Sequence, residues 1–429
     1  MGQITEIVMK VLWITNIMMP PLCESLGMRI SVGGGWMYSS AKKLIEGNAL
    51  LNLAIATVYP GNQWIMKEIG AIKYYVLPLN GKKNTRYNKH LEAYWKKVYE
   101  EFRPDLVHIH GSEFPHGLAY VNALPFSKTV VSIQGLVSVC ARYYNEGLSC
   151  GEILRNITLR DLLKENLWQA QRSFYRRGMF EQELITKVHH VIGRTSWDYA
   201  HTLAINPSIN YHFCNETLRE EFYKHRWSYN ACEKHSLFLT QAGYPIKGFL
   251  QVLKALPFVI KKYPDIKVYV AGTNILSDRT WKDRLKRTGY AKIVKQFIKK
   301  QKLGNYIIFT GPLDEKAMCI RFLKSNIFIC PSSIENSPNS LGEAQLLGVP
   351  CIASFVGGIP DMIPSEACGS LYRFEEVEML ADSICMWLEK SKKFDNTEMR
   401  KISALRHDSE RNKVRLNEIY NEILQNFQK

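Results

Sequence analysis

The chain lacks any apolar run approaching the roughly 18 residues that a membrane-crossing helix needs. Near the start, Val11-Leu12-Trp13-Ile14-Thr15 is too short and too early for a secretory leader with a cleavage site. Cys-x-x-Cys is missing too. Ten cysteines are scattered over 429 residues, several inside apolar strand segments, so free buried thiols are expected rather than disulfides or zinc. No internal repeat, low-complexity tract, zinc-finger spacing, helix-turn-helix signal or aromatic ribonucleoprotein motif occurs, which sets nucleic acid aside. Acidic residues are the scarce charge: 40 Asp and Glu stand against 56 Lys and Arg, a net +16. Such an excess suits an anionic partner, and a membrane surface carrying a phosphate-linked substrate fits best. These features predict a cytoplasmic protein, peripheral on the inner face of the membrane.

What is present is an α/β pattern. Hydrophobic content of 46% and charged content of 22% are those of an ordinary globular protein, and the length exceeds one core, so two domains are expected. Short apolar runs alternate with helical stretches, which predicts parallel sheets with crossover helices. Strands are expected at Val11–Thr15, Leu53–Val58, Tyr74–Leu77, Leu106–His110, Thr129–Ile133 and His190–Ile192. A second series falls at Ser236–Thr240, Lys267–Val270, Ile307–Thr310, Ile327–Cys330 and Pro350–Ala353. The polar stretch Asn215–Glu233 separates the two series, and ligands are expected at the carboxyl ends of the strands.

The most telling segment follows the strand Ile327–Cys330. Glu335 and Glu343 bracket the loop and first turn of a helix in Ser333-Ile334-Glu335-Asn336-Ser337-Pro338-Asn339-Ser340-Leu341-Gly342-Glu343. Free N–H groups at a helix N-terminus attract anions, so Asn339 and Ser340 would offer amides to a phosphate. Glu343 could accept hydrogen bonds from sugar hydroxyls. The competing reading is an N-cap carboxylate and a solvated helix residue. The flanks argue against it: Gly348-Val349-Pro350 follows, then a strand leading to Gly357-Gly358.

This arrangement resembles the retaining glycosyltransferases of family 4, also called group 1, over roughly residues 235 to 370, with a looser match in the first half. The resemblance implies the GT-B fold, two Rossmann-like domains facing each other across a cleft. Residues 1–220 would form the acceptor side and 221–405 the donor side, with a helix in 406–429 packing back on the first domain. It also implies metal-independent transfer of a sugar from a nucleotide-diphospho-sugar to a saccharide or lipid-diphosphate-linked acceptor. The nucleotide sugar is a substrate and no cofactor is expected. The setting implied is bacterial surface polysaccharide synthesis.

Carried over residue by residue, Glu335 would hold hydroxyls of the transferred sugar, Glu343 the ribose, and Lys247, in Ile246-Lys247-Gly248, the diphosphate. Gly311 and Pro312 would border the base. The loop Ser31-Val32-Gly33-Gly34-Gly35-Trp36 would bring Gly34 and Gly35 against the diphosphate or acceptor, since glycine permits close backbone approach. His110, at the end of the strand Leu106–His110, would touch substrate. His108, His110 and His116 raise the question of a metal, but no fitting carboxylate or cysteine partner accompanies them. Asp-x-Asp, the metal-nucleotide motif of the other large glycosyltransferase fold, is missing.

Two positions depart from the resemblance. Ala242 stands where the family supplies an arginine about five residues before the lysine; Arg194 could replace that contact or could simply pair with Asp198. Gln134 stands where many relatives carry a histidine, and an amide can position a hydroxyl but is neither acid nor base near neutral pH. Two rivals follow: a nucleotide-sugar epimerase on the same fold, or a catalytically degenerate binding relative. The stretch Ile153–Trp168 interleaves Ile, Leu and Trp with Arg155, Arg160 and Lys164. It is read either as a basic amphipathic helix lying on anionic membranes or as an ordinary helix packed on the first domain.

Overall fold

The computed structural model describes residues 8–29, 35–46, 50–278 and 280–426. Among these residues the strands form two sheets, each in its own compact unit.

The first unit comprises Met1–Val139, Tyr175–Leu218 and His407–Lys429. Its strands are β1 (Met9–Thr15), β2 (Leu51–Tyr59), β3 (Ile65–Ile69), β4 (Ile72–Pro78), β5 (Leu106–His110), β6 (Thr129–Ser132), β7 (His190–Gly193) and β8 (Asn210–Phe213). They lie in the order β3-β4-β2-β1-β5-β6-β7-β8. All neighbours are parallel except β3, which runs antiparallel to β4. Because side chains alternate across a strand and both faces are covered, β1 sends Leu12 and Ile14 into one core cluster and Val11 and Trp13 into the other. The helix Ser409–Asn426 adds Ile419, Tyr420 and Ile423 to the second cluster. Its Tyr420 hydroxyl lies 2.9 Å from Trp13 Nε1 and 2.7 Å from His108 Nδ1.

The second unit comprises Cys140–Phe174 and Arg219–Arg406. Its strands are β9 (Ser236–Leu239), β10 (Lys267–Ala271), β11 (Ile307–Gly311), β12 (Ile327–Cys330), β13 (Cys351–Ser354) and β14 (Ser370–Tyr372), ordered β11-β10-β9-β12-β13-β14 and parallel throughout. The helices Phe249–Ile260 and Val377–Lys390 cover one face, burying Phe249, Leu253, Ile384 and Trp387 with Leu237 and Val268.

Two expectations are corrected. The first domain does not run unbroken over 1–220, because Cys140–Phe174 belongs to the second unit. Gly289 N donates to Asp161 at 2.8 Å, Lys254 Nζ to the Gly147 carbonyl at 3.2 Å and Ser333 Oγ to the Tyr143 carbonyl at 2.9 Å. Nor is Ile153–Trp168 one amphipathic helix. It comprises parts of three helices, Cys150–Arg155, Leu159–Leu163 and Leu167–Lys187, because Ser149 and Thr158 each close a capping box and start a helix afresh.

Candidate functional site

In an open parallel sheet, ligands bind outside the carboxyl ends of the strands where the strand order reverses. In the second unit that point lies between β9, from which the chain proceeds outward to β10 and β11, and β12, from which it proceeds to β13 and β14. The loops leaving β9 and β12 carry Lys247 and Glu335, whose side chains meet at 2.5 Å, Nζ to Oε1. Ser332 Oγ donates to the same oxygen at 2.8 Å. Burial alone would pull the Lys247 ammonium down, but the Glu335 carboxylate overrides it and holds the pKa above its ordinary value.

Glycines fix both loops. Lys247 ends the short 3-10 turn Pro245–Lys247, and Gly248 follows with φ +67. A Cβ there would stand 1.6 Å from the Pro331 carbonyl oxygen. Ser333 N donates to the Ile246 carbonyl at 2.9 Å, so the two loops are stitched through backbone. Gly357, φ +54, comes so close that a Cβ would lie 1.8 Å from the Glu335 carbonyl oxygen, which accepts from Gly358 N at 3.0 Å. The Gly-Gly pair therefore cradles Glu335.

The helix Asn339–Leu347 starts four residues after Glu335. No side chain caps its N-terminus and its first turn holds no acid, so the amides of Asn339 and Ser340 keep the partial positive charge of a helix start. Glu343 is 3% exposed, and both of its oxygens are gripped by Arg219, Nε and Nη2 each at 2.7 Å. Burial pushes the Glu343 carboxyl up, with Arg219 opposing the shift. Gly311, φ +80, ends the edge strand β11 and is followed by exposed Pro312; β10 and β9 stand between them and β12. Ala242 is buried in the apolar core.

In the first unit, His110 ends β5 and is 6% exposed, stacked on His108 at 3.8 Å and tilted against Trp13 at 4.2 Å between centroids. Burial, His108 and Arg194 hold its pKa well below the usual histidine value, so the ring is neutral. Its Nε2 has no hydrogen-bond partner among the described residues. His108 is taken by the hydroxyls of Tyr420 and Ser132. His110, Arg194, Trp13 and Glu216 line one cavity of about 60 Å³. Arg194 is buried; its guanidinium pairs with Glu216 and donates to the Ile133 carbonyl at 2.9 Å. Its backbone N–H, not its side chain, meets Asp198, at 3.1 Å. Gln134 follows β6 and is half-buried. Gly35 opens the helix Gly35–Ile45, whereas Gly34 lies outside the described residues.

Three acidic or basic residues at these strand ends escaped the sequence reading. Strand order in the first unit reverses between β1 and β5, and there Asn16 Nδ2 donates to Glu113 Oε2 at 2.8 Å. Burial pushes the Glu113 carboxyl up to about 7. Glu181, fully buried, accepts from Ser112 Oγ at 2.7 Å, Val137 N at 3.1 Å, and Ser138 N and Oγ at 2.9 and 2.7 Å. It thereby ties together the loops that leave β5 and β6. Arg219 is the third. The only signal for Glu113 and Asn16 was their place directly after a strand.

Comparison with solved structures defines the class of fold. The chain is similar to sucrose-phosphate synthase from Thermosynechococcus elongatus, with TM-score 0.66 and 14% identity over 97% of this chain and 99% of that one. It is similar to Anabaena HepE solved in complex with UDP and glucose, with TM-score 0.64 and 13% identity over 96% and 100%. Identities this low carry the fold alone: it is GT-B, two α/β domains built on parallel sheets.

The family match is narrower. Residues 223–403, most of the second unit, match the model of glycosyl transferases group 1. An 89-residue stretch is 30% identical to the "Uncharacterized 41.2 kDa protein in cps region" of Klebsiella pneumoniae, spanning 20% of this chain and 25% of that protein. Over the second unit, the family match supports a glycosyltransferase of group 1.

Proposed function

We propose that the protein is a retaining, metal-independent glycosyltransferase that moves a sugar from a nucleotide-diphospho-sugar to a saccharide or lipid-diphosphate-linked acceptor. The observation that carries this reading is the Lys247–Glu335 pair at the reversal of strand order, beside an uncapped helix N-terminus. Departure of a nucleoside diphosphate builds negative charge on the leaving phosphates, and fixed positive charge there lowers the barrier. Lys247 supplies that charge and the amides of Asn339 and Ser340 add to it. When phosphate takes the ammonium, the Glu335 carboxylate is released to accept from hydroxyls of the transferred sugar. Glu343, held by Arg219, keeps lone pairs for the ribose, and Gly311 and Pro312 border the base. His110, as a neutral imidazole, and Gln134 position substrate hydroxyls without moving a proton. The attacking hydroxyl approaches from the face the leaving group departs, and the leaving phosphate takes its proton.

The biological setting we propose is bacterial surface polysaccharide synthesis on the cytoplasmic face of the membrane, with the protein attached peripherally. The local likeness to a cps-region protein supports the pathway. The net charge of +16 supports the attachment, and no helix among the described residues is long and apolar enough to cross a membrane.

Thermal-shift screening against UDP, GDP, ADP and their sugars tests the donor, since a ligand that binds only the folded state raises its Tm. The matching donor should then support transfer that survives EDTA and gives a product with the donor's anomeric configuration by NMR. Binding of no nucleotide, or an inverted product, would overturn the reading. Conversion of the nucleotide sugar without any acceptor would point to an epimerase instead.

A further inference from the structure

Three short helices of the second unit expose large apolar side chains that no described residue covers. Leu154 on Cys150–Arg155 is 57% exposed; Leu159, Leu162 and Leu163 on Leu159–Leu163 are 57%, 72% and 76% exposed. Trp281 and Leu285, on Trp281–Lys286, are 67% and 48% exposed. Thr158 Oγ1 donates to the Arg287 carbonyl at 2.8 Å, and Asp161 Oδ2 accepts from Gly289 N at 2.8 Å, which fixes the second of these helices beside the third. Contiguous apolar surface of this kind marks an interaction site.

Charge identifies the occupant. Each of the three helices carries one acid, Glu152, Asp161 or Asp283, and each of these turns back into a capping box at its own N-terminus. Lys164, Lys282, Arg284 and Lys286 are exposed beside one exposed acid, Glu165, while Arg155 bends its Nε back to donate to the Gly151 carbonyl at 3.1 Å. The result is an outward surface of leucine and tryptophan rimmed by positive charge. A second copy meeting it through a two-fold axis would set like charges face to face. An anionic bilayer satisfies both parts, apolar tips entering the headgroup boundary and cations meeting lipid phosphates.

We infer that this three-helix face of the second unit is the surface by which the protein docks on anionic membranes. The inference rests on the peripheral attachment proposed above and names its site, the second unit, where the sequence reading put it in the first.

Co-sedimentation of the full chain with phosphatidylglycerol and phosphatidylcholine vesicles tests it. Wild type should bind only the anionic vesicles, more weakly as salt rises. Reversing Lys164, Lys282 and Lys286 to Glu should cut partitioning by at least about 100-fold, at about fivefold per lost cation before the added repulsion. Leu162→Glu with Leu163→Glu should remove the salt-resistant remainder. The same reversal at exposed Lys390, Lys392 and Lys393 should matter far less. Bromine-labelled acyl chains should quench fluorescence in wild type and fail to do so in Trp281→Phe. If wild type binds and the face variants bind equally well, the surface is wrong while peripheral attachment stands. If wild type binds no anionic vesicle, attachment and surface fall together. Self-association abolished by Leu162→Glu would assign the face to a second copy and overturn the inference.

Discussion

Lys247 and Glu335 are 88 residues apart in sequence and 2.5 Å apart in space, on loops that leave the neighbouring strands β9 and β12. Each is the other's counter-ion. Under the proposed function, a diphosphate would compete for the ammonium and leave the carboxylate to the sugar hydroxyls, so that the two ends of one donor would be read by the two halves of one ion pair.

Glu335→Gln keeps the size of the side chain and removes the charge-assisted acceptor. It should lower kcat by roughly 100-fold or more while the circular dichroism spectrum is unchanged. Transfer at near wild-type rate by a well-folded variant would remove Glu335 from the site.

Lys247→Ala should weaken nucleoside diphosphate binding by about 10- to 100-fold, the range expected for a lost hydrogen bond to a charged group. Binding of the bare nucleoside should hardly change. Calorimetry with both ligands decides the matter, and equal losses would make this lysine a turn residue only.

Gly357→Ala tests the cradle around Glu335. The residue sits at φ +54 and an added Cβ would meet the Glu335 carbonyl oxygen at 1.8 Å. The variant should lose on the order of 1–3 kcal/mol of stability and lose activity even where it remains folded. Gly304→Ala, with nothing within 4 Å of its added Cβ, is the control. Equal behaviour of the two variants in urea melts and in transfer assays would refute the cradle.

Interior strands were legible in the sequence because strands buried on both faces read as continuous apolar runs; β5 and β12 occur at the residues expected. The strands that went unseen, β3, β8 and β14, are all sheet edges. Asn210-Tyr211-His212-Phe213 and Ile65-Met66-Lys67-Glu68-Ile69 mix polar and apolar residues, and β14 is only three residues long. Lys247 and Glu335 were legible because each sits in a contiguous motif. Arg219 and Glu113 were not, since their partners lie 124 and 97 residues away and only the fold brings them together. The unbroken first domain failed for the same reason: the contacts of Asp161 with Gly289 leave no local trace.

The Arg219–Glu343 pair is a test of that long-range kind. Removing one partner of a buried ion pair leaves an uncompensated charge and costs about 3–5 kcal/mol. Arg219→Ala should therefore destabilise more than Arg219→Ala combined with Glu343→Gln, and Arg219→Lys should not restore the two-pronged grip. Urea melts of these variants and of Glu343→Gln alone close the double-mutant cycle, and strict additivity of the two single changes would mean that the pair is incidental.

Glu113 gives the fold a pH dependence of its own. Its carboxyl is raised from 4.5 to about 7, first by burial and also by Glu181, with Asn16 and Arg177 opposing the shift. Folding therefore favours the neutral form. The stabilising contribution is fully present below pH 4.5 and is lost as pH rises through 7, because the native protein must then either ionise a half-buried carboxyl or hold its proton against the solvent. The shift corresponds to a difference on the order of 3 kcal/mol between the two limits. Glu113→Gln is neutral at every pH and keeps an oxygen for Asn16, so its stability should fall less than that of wild type between pH 5 and pH 8. At pH 8 the variant should be the more stable protein, and at pH 5 the two should lie close together. Urea denaturation at both values measures the difference. An unchanged pH slope in the variant would show that Glu113 is solvated and ionised in solution, and would remove it as the raised carboxyl at the strand reversal of the first unit.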